Sequence, residues 1–67
     1  MFNKELFNEA VEKSGLTRRF IVKSLGIAYD SFYKKTTGVL EWKLNEIRKL
    51  KDILGLSFQD IEAIFFG

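Results

Sequence analysis

Arg18, Arg19, Lys23, Lys34 and Lys35 place five cations in an eighteen-residue stretch whose only carboxylate is Asp30. Guanidinium and ammonium groups pair with phosphate and carboxylate oxygens, and among these five stand Tyr29, Ser31 and Tyr33, whose hydroxyls both donate and accept hydrogen bonds. The chemistry on offer is recognition of an anionic partner. Charge along the whole chain agrees. Lys13 to Lys51 holds ten lysines and arginines against Asp30, Glu41 and Glu46, whereas the two ends carry Lys4 against Glu5, Glu9, Glu12, Asp52, Asp60 and Glu62. The formal net charge of +2 therefore conceals a basic middle between acidic ends, a pattern that favours one face for an anionic surface.

The same residue inventory argues against catalysis. Without histidine or cysteine there is no imidazole base, thiol nucleophile or soft metal ligand. Ser14, Ser24, Ser31 and Ser57 fall at helix caps or surfaces with no base to activate them. The glycines stand singly, so none forms a phosphate-cradling loop. An enzyme is not expected, nor a cofactor or a metal. The lack of cysteine and of any long apolar run, and an amphipathic start MFNKELFNEA unlike a signal peptide, point to a reducing cytoplasm.

What must position the cations is a set of short helices. At 67 residues the chain is read as one domain, 1-67, burying roughly 60% of the surface its unfolded form exposes. Gly15, Gly26, Gly38 and Gly55 divide it into five segments, each with helical periodicity. Asn3 is placed to cap the first, with Phe2 and Phe7 as a hydrophobic staple, and Leu6, Phe7, Ala10 and Val11 as its apolar stripe. Thr17 caps a second, RRFIVKSL, which Gly26 ends. A third runs from Tyr29 to Thr36 and buries Phe32, with Ala28 in its weak cap position. The connector VLEWK leads to the longest helix, Leu44 to Leu54, with Leu44, Ile47, Leu50, Ile53 and Leu54 toward the core. Ser57 and Asp60 form a capping box for a last turn or two carrying Phe58, Ile61, Ile64 and Phe65. Trp42 is read as a core plug, and the terminal Ile64-Phe65-Phe66 as a lid on the core in preference to a dimer face. No segment alternates with period two, so the fold class is all-α: a compact five-helix bundle.

Two short helices joined through a glycine turn are a helix-turn-helix signature. Thr17, Ile21, Gly26, Ile27, Phe32, Gly38, Leu44, Ile47, Leu50, Leu54 and Gly55 follow without a gap the pattern of the Cro and repressor proteins of temperate phages. The chain resembles that family from about Leu6 to Ile64. The resemblance implies a lambda-repressor-like bundle, binding of double-stranded operator DNA, control of transcription, and often a homodimer on a two-fold site. It places Thr17 and Arg18 at the DNA backbone and aims Tyr29, Asp30, Ser31 and Lys34 into the major groove. Arg19, Tyr33 and Lys35 complete the expected DNA-binding or partner-binding set.

Three positions depart from the family pattern. Val22 stands where alanine is usual, Ala28 where serine or threonine caps the third helix, and Asp30 puts a carboxylate toward the groove, where its best use is to accept from a cytosine amino group. The third helix also lacks Asn, Gln and Arg, the common bidentate base readers. A second function is therefore carried alongside the first. Small helix-turn-helix proteins called modulators of repression look similar to this chain, which implies an antirepressor that binds the cognate phage repressor on its DNA-binding domain and keeps it from its operator. Tyrosine, aspartate and arginine on one exposed surface suit such a protein interface.

Overall fold

Five helices form where the caps and glycines direct them. In a computed structural model spanning Met1–Gly67, α1 is Lys4–Ser14, α2 Arg18–Leu25, α3 Tyr29–Thr36, α4 Leu44–Leu54 and α5 Phe58–Ile61, and α5 continues into a π-helical turn, Glu62–Phe66. There is no strand, so the all-α expectation holds. The π-helical ending was not foreseen, since a sequence period of 3.6 carries no mark of an added residue per turn.

Three of the helix starts, those of α1, α2 and α5, are capped by a side chain. The Asn3 side chain accepts from the Leu6 amide at 3.0 Å, and Phe2 packs on Phe7 with ring centroids 5.5 Å apart, so the staple fixes how the chain enters α1. The Thr17 hydroxyl accepts from the Phe20 amide at 3.1 Å. Ala28 offers α3 no side-chain cap. Ser57 and Asp60 cap α5 reciprocally: the Asp60 amide donates to the Ser57 hydroxyl, and the Ser57 amide to the Asp60 carboxylate. Gly26 ends α2 in the left-handed region at φ 73. A side chain there would be strained, and the turn that launches α3 depends on that conformation.

The helices enclose one core. Phe7, Ile21, Phe32 and Leu50 are fully buried, and Val11, Val22, Leu25, Ile47, Leu56, Ile64 and Phe65 complete it. Ile64 and Phe65 thus act as the lid, while Phe66 is exposed. Trp42 plugs the connector. Its ring lies 5.6 to 6.0 Å from those of Phe2, Phe7, Phe32 and Phe65, separations typical of tilted and edge-on aromatic pairs.

Leu44, expected in the core, is corrected, and Phe58 also lies outside it. Leu44 is 61% exposed and Phe58 79% exposed. On α4 the inward arc centres on Leu50 and, at 100° per residue, takes in Ile47 and Glu46 but leaves Leu44 to one side. Phe58 opens α5 at the rim, where the Lys51 ammonium lies 5.1 Å from its ring in cation–π geometry. Leu54 is half-buried at the core margin.

Candidate functional site

On α3 the chain separates two jobs by helical rotation. Tyr29, Asp30, Tyr33 and Lys34 share one exposed arc, while Phe32, Lys35 and Thr36 face inward. Phe32 and Thr36, at i and i+4, dock the helix, which leaves the other arc free. Ser31 is half-buried at the boundary. Asp30 and Lys34, also i and i+4, form an ion pair at 3.0 Å, so the exposed arc carries no net charge.

Lys35 is corrected here. It was expected on the binding face, yet it is buried, its ammonium paired with the Glu46 carboxylate and lying 5.9 Å from the centre of the Trp42 ring. Glu46 is held on both oxygens: Oε2 takes Lys35, and Oε1 accepts from the Lys43 amide at 2.8 Å, which also caps α4. Burial pushes the Glu46 carboxyl up, but the hydrogen bonds from Lys35 and Lys43 outweigh it and hold the group below its ordinary 4.5. It is therefore a carboxylate at neutral pH, facing the Lys35 side chain inside the fold.

On α2, Arg19 and Lys23, one turn apart, are exposed, as is Phe20 at 51%. Ile21, Val22 and Leu25 face the core. Arg18 lies at the edge of this inner face, and its Nη2 donates to the Asn8 amide oxygen on α1 at 2.7 Å. That contact ties the first turn of α2 to α1 and fixes where the guanidinium stands. Thr17, exposed beside it, spends its hydroxyl on the cap. Lys49 points to the other end of α2, 3.4 Å from the Leu25 carbonyl, a favourable place for a cation at a helix C-terminus.

Of the nine expected site residues, the structure gathers Arg19, Tyr29, Asp30, Tyr33 and Lys34 as exposed side chains of α2 and α3. Thr17 and Arg18 stand at the opening of α2, Ser31 at the edge, and Lys35 behind. Sequence reasoning did not single out Asn8, a polar residue beside Phe7 on α1, because its contact with Arg18 is tertiary. No three His, Cys, Asp or Glu side chains come together in a group that could hold a metal ion. No helix is long and apolar enough to cross a membrane. No family model, curated protein or solved structure matches the chain.

Proposed function

We propose that the protein is a small phage-type transcriptional regulator that binds operator DNA through α2 and α3, used as a helix-turn-helix. The supporting observation is the free outer arc of α3, presented across a glycine turn from α2 with its Arg19–Lys23 ridge, while Phe32 anchors the helix from behind. In such docking the third helix enters the major groove and the second crosses the backbone. Arg19 and Lys23 meet phosphates, and Tyr29, Asp30 and Tyr33 meet base edges and sugar.

The test is titration against a duplex of the protein's own promoter region at low and rising salt. Arg19→Ala should weaken binding and lower the slope of log affinity against log salt by about 0.9, the value for one phosphate contact. Absence of any binding at low salt sinks the reading.

A second reading is favoured by one observation, the neutrality of the α3 arc. Lys34 is spent on Asp30, Lys35 is buried, and what remains is aromatic, Tyr29 at 54% and Tyr33 at 60% exposed. A protein partner suits such an arc, since tyrosine and arginine dominate interface hot spots. In this reading the protein is an antirepressor docking on the DNA-binding domain of the cognate phage repressor. Titrating the purified repressor domain, with and without operator, discriminates the two.

A further inference from the structure

Four grooves open on the surface. Three contain carboxylates: Glu9 and Asp60 in the first, Glu41 in the second, Glu5 in the third. The fourth, about 270 Å³ between α1, Arg18 and α3, contains none, and Lys4, Asn8, Arg18, Tyr29 and Tyr33 all line it. An acid-free cleft on a chain with nine acids is a place where negative charge meets no repulsion.

Its groups are donors. Lys4 and Asn8 are one turn apart on α1 and so lie on one face. The Asn8 amide oxygen is taken by Arg18 at 2.7 Å, which leaves its NH₂ group as the free end, and an amide nitrogen only donates. Arg18 uses one nitrogen on Asn8 and has further N–H groups to give. The Tyr29 and Tyr33 hydroxyls can donate as well. Of the carboxylates next in sequence to its residues, Glu5 and Glu9 line the third and first grooves, and Asp30 is turned to Lys34. The cleft directly adjoins the exposed arc of α3, since Tyr29 and Tyr33 belong to both.

We propose that Lys4 and Asn8 of α1, together with Arg18, seat one phosphodiester of duplex DNA while α3 lies in the adjoining groove. This rests on the DNA reading above. Lys4, by sequence the lone cation of an acidic end, then belongs to the binding face, and Asn8 acts twice, orienting Arg18 with its oxygen and donating to phosphate with its nitrogen.

The experiment measures affinity for a mixed-sequence duplex across a salt series for the intact protein, Lys4→Gln, Asn8→Asp, Arg19→Ala and the control Lys13→Gln, which removes a cation from the same helix but lines the first groove. Lys4→Gln should lower the salt slope by about 0.9, and Lys13→Gln should leave it unchanged. Asn8→Asp keeps a partner for Arg18, and a stronger one, so the melting temperature should not fall. It also puts a carboxylate where phosphate sits, so affinity should drop about tenfold or more. Unchanged affinity for Asn8→Asp, or equal slopes for Lys4→Gln and Lys13→Gln, overturns the seat while Arg19→Ala still reports on the DNA reading. If the intact protein binds no duplex, that reading fails first and the seat with it.

Discussion

Adjacent lysines on α3 belong to two different worlds. Lys34 pairs with Asp30 on the outside, the two side chains 48% and 75% exposed, whereas Lys35 pairs with Glu46 on the inside, at 7% and 6%. Both are lysine–carboxylate contacts, and one residue of helical rotation separates them. In water the outer pair gains little, about 0.3 to 0.5 kcal/mol for an i,i+4 pair. The inner pair has given up its hydration, so its members depend on each other: each one left alone is a charge without solvent. Burial rather than pairing sets the energetic weight, and the same difference assigns the roles. A replaceable exposed pair can change partners on binding, while a buried one can only hold α3 to α4.

The comparison breaks most visibly at Glu46. Glu46→Gln should destabilise the fold by about 3 to 5 kcal/mol, because the Lys35 ammonium remains buried without a counter-charge. That is as much as Leu50→Ala, which deletes a fully buried core side chain and should cost about 2 to 5 kcal/mol. The double change Lys35→Met with Glu46→Leu should recover the part of the loss that comes from the unpaired charge, since an apolar pair needs no counter-charge, but not the cap that Glu46 gives the Lys43 amide, worth about 1 kcal/mol. Urea denaturation of the three variants measures this. A double variant no better than Glu46→Gln would show that the pair contributes geometry as well as mutual neutralisation.

Acid sharpens the same contrast. The folded Glu46 carboxyl titrates below its ordinary 4.5, through Lys35 and the Lys43 amide working against burial. A group whose folded value is depressed contributes stability that is present above the unfolded value and lost as pH falls through the folded one. Melting temperature should therefore hold steady above about pH 4.5 and fall below it. Asp60, lowered from its ordinary 3.8 by its hydrogen bonds with the Ser57 amide and hydroxyl, adds a loss that sets in at lower pH than that of Glu46. Glu46→Gln should flatten part of the fall and leave the share of Asp60. A variant curve parallel to the parent would remove Glu46 from the acid response.

Much of this was legible in the chain because local chemistry decided it. Asn3, Thr17 and Ser57 are caps whose side chains need only the next turn, and Gly26 ends α2 through a backbone conformation that is its own. Tertiary placement was legible only where side-chain type forces it. Phe32 had to go inward, but Lys35, on the same arc, reads as a solvated cation unless a carboxylate eleven residues later is known to meet it. Glu46 hid likewise among the surface charges of α4, although it lies on the buried arc of that helix. On the outer side of α2 and α3, Arg19, Tyr29 and Lys34 were singled out by the family resemblance and stand exposed, whereas Asn8 meets Arg18 through a contact spanning ten residues that no periodicity encodes.

The smallest stability change is expected at the outer pair, and there the two functional readings part. Asp30→Asn removes an exposed contact with Lys34 and should shift stability by no more than about 0.5 kcal/mol. Its effect on binding should be larger than its effect on folding. Against DNA, the substitution frees Lys34 and removes a charge that phosphates repel, so non-specific affinity should rise and the salt slope steepen, with a change of preference at one base pair at most. Against a repressor domain, whose own DNA-binding surface is basic, Asp30 would pair with a cation of the partner. Its loss should then weaken the complex by about 2 kcal/mol or more where that pair is desolvated. The two affinities measured on this one variant move in opposite directions under the two readings. Tighter DNA binding with an unchanged repressor affinity would leave the antirepressor reading without its charged contact.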